Sequence, residues 1–197
     1  MAWTKNTTDT LVSGNNVISN TGMTKYKFNQ ILTNITGASG STDFTGRVGD
    51  GSFDSGTSYS CRESQNGSQS ARVSGTFFNQ GLTGYGSSNA PSLHIVYGIN
   101  IAGEEKLFME FTILQNTAGA GNVPNRYSNF NKWINTSVQY DQFEFIDAAG
   151  QTYDTDTNLS ALGSEGVEEL NVQDGAVYYD KTLNKEYVLN SNTWTEV

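Results

Sequence analysis

The side chains best suited to chemistry in this 197-residue chain are few and far apart. His94 is the only histidine and Cys61 the only cysteine, so a Ser-His-Asp or Cys-His site would have to use one of them. No Gly-x-Ser-x-Gly elbow, phosphate-binding glycine loop or His/Cys metal spacing accompanies them. We therefore expect a solvent-facing or hydrogen-bonded strand histidine, a small buried cysteine, no catalytic residue and no cofactor.

One run of oxygen-bearing side chains has the spacing of a calcium loop. Asp154, Asp156 and Asn158 alternate, and Glu165 falls at the twelfth position, where such loops place a bidentate glutamate. The sixth position is Leu159, although the sharp turn of a calcium loop requires glycine there. These four residues are therefore weak metal candidates, with a solvated polar turn as the alternative, and we expect that folding needs no metal.

Large aromatic residues cluster between residues 119 and 137, where glycines and asparagines predict a long loop. Tyr127, Phe130 and Trp133 lie in this stretch together with Arg126. Aromatic residues and arginine are enriched at the centres of protein interfaces, so a protein contact is the first interpretation. A buried structural role is one alternative, and a glycan site, in which rings stack on sugar faces, is the other.

Strand and turn signals recur about every ten residues along the elements that must position these side chains. Gly, Ser, Thr and Asn supply 84 of the 197 residues, a composition rich in turn formers and poor in helix formers. We therefore expect an all-β, antiparallel, jelly-roll-like sandwich over residues 1–163. Asn66-Gly67 predicts the turn of one hairpin, and Gly103-Glu104-Glu105 predicts the turn of a second, between the apolar runs at 92–101 and 107–114. Period-two alternation predicts a core that contains Ile31, Leu93, Ile95, Tyr97, Phe108, Phe111, Phe143, Phe145 and Leu162.

The remaining residues predict an appendage. Residues 164–170 form a short acidic linker, and residues 171–197 have the strand and turn pattern of a small β-hairpin. A lone hairpin is marginally stable in water, so we expect it to dock on the main domain or on another subunit. Its large side chains are further interface or glycan-binding candidates: Tyr178, Tyr179, Tyr187 and Trp194.

The charge distribution argues against two classes of partner. The net charge is −9, and residues 141–197 hold twelve Asp and Glu against two Lys. Without a basic stripe the chain is not expected to bind nucleic acid, and an anionic membrane would repel it. It has neither a transmembrane-type apolar run nor an apolar signal segment at its start, so we expect no membrane insertion.

The main domain contains a series of short motifs in a fixed order. The pattern Ile-Ser-x-x-Gly-Met-x-x-Tyr opens at Ile18, and Arg-Val-Gly-Asp-Gly follows at Arg47. The later segments are Ser-Tyr-Ser at 58–60, the strand around 142–146 and Asn-Leu-Ser-Ala-Leu-Gly at 158–163. Together these segments resemble β-sandwich modules of accessory virion proteins from tailed bacteriophages, and the resemblance implies synthesis in a bacterial cytoplasm.

The C-terminal segment is similar to a hairpin found in phage structural proteins. It contains Gly-Ala-Val-Tyr-Tyr-Asp at 175–180, Asn-Lys-Glu-Tyr at 184–187 and then Trp194. The resemblance implies a non-enzymatic subunit on the virion surface, either a capsid decoration protein or a short fibre. It also implies a homo-oligomer, with a trimer favoured, that contacts major capsid or tail proteins. The alternative is a carbohydrate-binding receptor-recognition module of a tail fibre that binds a host surface glycan.

Overall fold

The computed structural model describes residues 3–40, 42–85, 91–115, 117–165, 175–180, 184–190 and 193–196, and these residues contain strands and no helix. The expected all-β class is therefore confirmed, and the architecture is consistent with a β-sandwich. No helix within these ranges could cross a membrane. The strands are β1 (Thr4–Thr10), β2 (Val17–Asn20), β3 (Phe28–Ile35), β4 (Thr42–Gly49), β5 (Tyr59–Gln65), β6 (Ser68–Gly75), β7 (Phe78–Tyr85), β8 (Ser92–Ile99), β9 (Lys106–Leu114), β10 (Asn125–Trp133), β11 (Gln142–Asp147), β12 (Asn158–Ser164), β13 (Val177–Asp180), β14 (Lys185–Asn190) and β15 (Thr193–Glu196).

Two antiparallel sheets enclose the core of the main unit. The larger has eight strands in the order β1-β12-β3-β8-β9-β10-β5-β6, and the smaller has four in the order β2-β11-β4-β7. Side chains from both sheets form one buried cluster, in which Phe145 of β11 meets the ring of His94 from β8 at 4.6 Å. The expectation that Cys61 is buried is confirmed, since its side chain points from β5 into the interior and is 7% exposed.

Turn chemistry places two hairpins where the sequence predicts them. Asn66 and Gly67 join β5 to β6 with φ values of 45° and 99°, the left-handed backbone that a two-residue hairpin turn needs. Gly103 has φ 86° between β8 and β9. The first turn fixes the register of β5 with β6 and the second that of β8 with β9, and these strands carry residues of the candidate sites described below.

The core prediction is wrong for β8 and for half of β9. Phe108, Phe143, Phe145 and Ile31 are buried as expected. Leu93, Tyr97 and Phe111 instead point outward and are exposed, and Ile95 and Leu162 are only partly buried. Alternation predicted the two faces of β8 correctly but assigned them in reverse. Ser92, His94 and Val96 lie in the interior. The polar side chains of Ser92 and His94 are tolerated there because they have hydrogen-bonding partners.

The described residues divide into two compact units, Trp3–Glu165 and 175–196. Within the second unit, β13, β14 and β15 form a three-stranded antiparallel sheet, so the predicted hairpin gains a third strand that contains Trp194. Ser164, the first residue of the predicted linker, is the last residue of β12. Residues 166–170 of that linker lie outside the described residues.

Candidate functional site

The outer side of the eight-stranded sheet carries a continuous group of large apolar side chains. We call this group the outward face and define it by Leu32 of β3, Leu93, Ile95 and Tyr97 of β8, Leu107, Met109, Phe111 and Ile113 of β9, and Phe130 of β10. Strand pairing sets Leu93 opposite Ile113, Ile95 opposite Phe111 and Met109 opposite Phe130. Residues paired in this way have Cβ atoms about 4.5–5.5 Å apart, so the side chains form one surface.

Exposure distinguishes this face from an ordinary strand surface. Seven of its side chains are between 37% and 53% exposed. With roughly 200 Å² for a large side chain and about half of that open, the seven offer ~700 Å² of contiguous apolar area. A monomeric protein rarely exposes a patch larger than about 300–600 Å², and larger patches mark interaction sites. The outward face therefore has the extent of a binding surface.

Polar residues border the outward face on both sides. Arg62, Arg126 and Lys132 lie on the outer side of β5 and β10, where Arg62 is paired with Phe130. Lys132 Nζ contacts Glu105 Oε2, in the β8–β9 turn, at 2.8 Å. On the opposite margin, β12 follows β3 and carries Asn158 and Ser160 on the outer side, together with the partly buried Leu162. An apolar centre inside a polar rim is the usual anatomy of a protein–protein interface.

The prediction of an aromatic loop over residues 119–137 is wrong for its second half. Residues 125–133 form β10, a strand inside the larger sheet, rather than part of a loop over 119–137. Alternation along this strand separates the four candidates. Tyr127 and Trp133 are buried in the core, whereas Arg126 and Phe130 are exposed on the outer side. The four residues therefore do not share one surface, and only Phe130 and Arg126 belong to or border the outward face.

Trp133 is held by a hydrogen bond within the chain and is not available to stack on a sugar. Its indole Nε1 donates a 2.7 Å hydrogen bond to Asp54 Oδ2, and the ring is 1% exposed. Burial raises the pKa of Asp54, but hydrogen bonds from Trp133, Gly56 and Ser58 outweigh it and leave the pKa below its usual value. A ring enclosed in this way has no face on which a sugar could stack.

An open groove with a volume of about 470 Å³ lies beside this contact. Asp50, Asp54, Asn135 and Val138 are among its lining residues. Asp50 receives a 2.6 Å hydrogen bond from Lys25, and this bond lowers the pKa of the Asp50 carboxyl. Both carboxylates of the groove are therefore engaged within the chain.

A polar cluster is sealed between the two sheets behind the outward face. Ser92 Oγ lies 3.1 Å from His94 Nε2, and His94 Nδ1 lies 3.3 Å from Glu110 Oε1. Thr112 Oγ1 is 3.0 Å from both His94 Nδ1 and Glu110 Oε1, and Asn129 Nδ2 donates to Glu110 Oε2 at 3.1 Å. The order of contacts is that of a Ser-His-Glu triad.

Burial decides what this cluster is able to do. Ser92, His94 and Glu110 are 3%, 0% and 1% exposed, and Phe44 and Phe145 contact the histidine ring edge-on. Acyl transfer needs a substrate carbonyl beside the serine oxygen, and the packed interior leaves no room for one. Burial raises the pKa of Glu110, while hydrogen bonds from His94, Asn129 and Thr112 oppose the rise. The cluster therefore has the contacts of a triad but is a buried, hydrogen-bonded part of the core.

The candidate calcium run does not form a loop. Asp154 and Asp156 lie in the turn before β12, and Asn158 begins that strand and donates to Asp9 O at 3.0 Å. Glu165 follows the far end of the strand, about 20 Å away at the usual rise per residue. The four side chains therefore do not converge. Within the described ranges, no three His, Cys, Asp or Glu side chains come together as metal ligands would.

The C-terminal candidates lie in the three-stranded sheet of the second unit. Tyr179 and Trp194 are exposed, and Tyr187 is partly buried opposite Glu196. The Tyr179 hydroxyl donates to Asn184 Oδ1. The Tyr178 side chain lies outside the described part of the structure. This small sheet therefore presents two open aromatic side chains of its own.

Comparison with known protein families, curated proteins and solved structures finds no match for this chain. Its function is therefore inferred from its own residues. The sequence interpretation missed Leu107, Met109 and Ile113 of the outward face and Glu110 of the buried cluster. A usable signal was present in the nearly continuous apolar run LFMEFTIL of β9, which is typical of a strand covered on both sides.

Proposed function

We propose that this chain is a non-enzymatic structural subunit that acts through protein–protein contacts of its outward face. One observation carries the proposal: the large apolar side chains of β8 and β9 point away from the core and form a contiguous patch. Such a patch is costly to leave in water, so a protein that retains it is expected to work in contact with a partner.

The two places among the described residues that come nearest to a reaction site add support, because neither offers a free, accessible catalytic group. The contact set closest to a catalytic one, around His94, is enclosed between the sheets. The carboxylates Asp50 and Asp54 of the open groove are held by Lys25 and Trp133 rather than poised beside a substrate. A glycan-binding role, the alternative, loses the Trp133 ring on which it depended, because that ring is part of the core.

The setting we propose is the surface of a tailed-phage virion, as a capsid decoration or short fibre subunit made in the bacterial cytoplasm. The motif resemblance at Ile18–Tyr26, Arg47–Gly51 and the C-terminal Tyr-Tyr-Asp segment supports this setting. A rigid all-β unit without structural disulfides also suits assembly from a reducing compartment. Major capsid or tail proteins are then the expected binding partners.

Purified particles test the proposal directly. Virions of a phage that encodes this chain are expected to contain it in a fixed number of copies per particle, measured by quantitative mass spectrometry. Antibodies raised against the purified chain should label intact particles in electron micrographs. Particles that contain no copy, or only traces removed by a density gradient, would contradict the virion role.

A further inference from the structure

We infer that a second copy of this chain packs on the outward face. The inference builds on the proposed structural role, because it names the partner of the same surface. A permanent partner is needed to keep seven half-exposed large apolar side chains away from water. Another copy is present wherever the chain is made, so it meets this need without a separate gene product.

The size of the face agrees with a stable contact between subunits. Its ~700 Å² of apolar side-chain area is close to the ~800 Å² that each partner buries in a standard protein interface, before the polar rim is counted. The centre of the patch consists of Ile95, Met109 and Phe111, with no charged side chain among them. Subunit interfaces between identical chains are typically more apolar than transient ones.

Charge favours an identical partner at this face. The chain carries a net charge of −9, and its excess of acidic residues lies in residues 141–197, so two copies repel one another where those residues approach. The outward positions of β3, β5, β8, β9, β10 and β12, all of which are described, carry no Asp or Glu. Arg62 and Arg126 stand there, together with Lys132, which pairs with Glu105 of the β8–β9 turn. Two acidic chains therefore meet with least repulsion on this side of the sheet.

The arrangement of the margins indicates how two copies fit. A two-fold axis parallel to β8 and β9 sets the apolar centres against each other. It also sets the cationic margin of β5 and β10 in one copy over the neutral margin of β3 and β12 in the other. Two sheets stacked in this way lie about 10 Å apart with their side chains interdigitated. The cations of the two copies then do not face one another.

Sedimentation equilibrium of the full chain tests the inference with two matched variants. Phe111→Arg places a charge at the centre of the outward face, whereas Val73→Arg places the same charge at an exposed valine of β6 outside it. We expect the wild type and Val73→Arg to associate. Phe111→Arg should raise the dissociation constant at least about thirtyfold, the ~2 kcal/mol typical of a residue at the centre of an interface.

The expected result also requires that Phe111→Arg stays folded, checked by near-ultraviolet circular dichroism. If that variant unfolds, Met109→Lys, at a side chain 47% exposed, replaces it in the same comparison. A wild type that remains monomeric up to concentrations on the order of 100 µM would overturn the inference. A folded face variant that associates as tightly as the wild type would overturn it as well.

A labelling experiment separates a second copy from other occupants. The thiol of an Ile113→Cys variant should react slowly with a maleimide in the assembled wild-type background and rapidly when Phe111→Arg is added. Cys61 is buried and contributes only a slow background. A monomeric chain that binds virions through this face would assign it to a shell protein and refute the inference while sustaining the proposed function. An oligomeric chain that is absent from virions would support the inference and contradict the proposed function.

Discussion

Strand β9 carries two sets of side chains that alternate over nine residues and face opposite environments. Toward the core it presents Lys106, Glu110 and Thr112 among apolar neighbours, and toward the outside it presents Leu107, Met109 and Ile113. The more polar set is the more deeply buried. This comparison shows that burial in the sandwich is decided by available partners and not by hydrophobicity alone.

The inner side of β9 tolerates Lys106, Glu110 and Thr112 because each of them has a hydrogen-bonding partner. Lys106 Nζ donates to the carbonyl oxygens of Glu104 and Asn135 at 2.5 and 3.0 Å. Glu110 accepts hydrogen bonds from Thr112 and Asn129 and contacts His94. A buried polar group is costly only where such bonds are missing. The centre of the outer face has no comparable hydrogen-bond network, and its apolar side chains need an apolar partner surface to cover them.

The largest expected difference between the faces comes from two phenylalanines on this one strand. Phe108→Ala should lower the free energy of unfolding by about 3–5 kcal/mol, because Phe108 is 2% exposed and its loss leaves a cavity. Phe111→Ala should cost about 1 kcal/mol, since that ring is only half buried in a single copy. Urea unfolding at dilutions that keep the chain monomeric measures both. Equal losses would mean that the two faces are packed alike.

Removal of the carboxylate from the buried cluster should come next in size. Glu110→Ala leaves the Asn129 Nδ2 donor without its acceptor and removes one partner of Thr112 and of His94, so we expect the free energy of unfolding to fall by about 3 kcal/mol. Glu110→Gln should lower the free energy of unfolding much less. The Asn129 Oδ1 atom is buried with no hydrogen-bond donor in contact, and a rotated Asn129 amide would accept from the new Nε2. A glutamine as damaging as alanine would refute this account of the network.

The sequence predicted the elements of this region better than their orientation. The turns at Asn66-Gly67 and Gly103 depend on residues adjacent in the chain, and alternation revealed both β8 and β9. Which face is inside depends on distant partners. Glu110 and Asn129 are 19 residues apart, and Trp133 is 79 residues from Asp54. Period-two patterns contain no information about such contacts, so the core assignment of Leu93, Tyr97 and Phe111 was wrong.

The site was predicted only in part, for the same reason. Arg126 and Phe130 do lie on or beside the outward face, but Trp133 and Tyr127 alternate into the core. The segment before β10 is rich in glycine and asparagine. This composition predicted a loop that extended over β10, a strand whose inner positions include Asn129 and Asn131. A rule that recognises strands covered on both sides would have predicted the outward face from β9 alone.

The inner cluster should also give the chain a pH dependence that the outer face does not have. Burial raises the pKa of Glu110 above its ordinary value of 4.5, so the folded state favours the protonated acid. The resulting stability is fully present below about pH 4.5 and is lost as the pH rises through the folded pKa. The free energy of unfolding of the wild type should therefore fall relative to that of Glu110→Gln as the pH rises from 4.5.

Chemical denaturation of both proteins between about pH 4 and 8 measures that difference. Other buried acids cancel in the comparison. Glu144, whose pKa burial also raises against the opposing charge of Arg47, is common to both chains. The Glu63→Gln variant, at a partly buried acid on β5 that bonds to Ser70, is a suitable control and should track the wild type. Parallel pH profiles for the wild type and Glu110→Gln would contradict the burial effect.

The smallest expected effect concerns the ion pair at the margin of the outward face. Lys132 and Glu105 approach to 2.8 Å, closer than the 3.3 Å between His94 and Glu110, so distance alone would rank the outer pair as the stronger. Both outer side chains are about two-fifths exposed, and water and salt screen their attraction, whereas the inner pair has no solvent contact. A double-mutant cycle with Lys132→Ala and Glu105→Ala in the monomeric chain should give a coupling of about 0.5 kcal/mol or less. The same cycle repeated in the assembled state sharpens the comparison, because a copy packed over the margin would exclude solvent and raise the coupling above its monomer value.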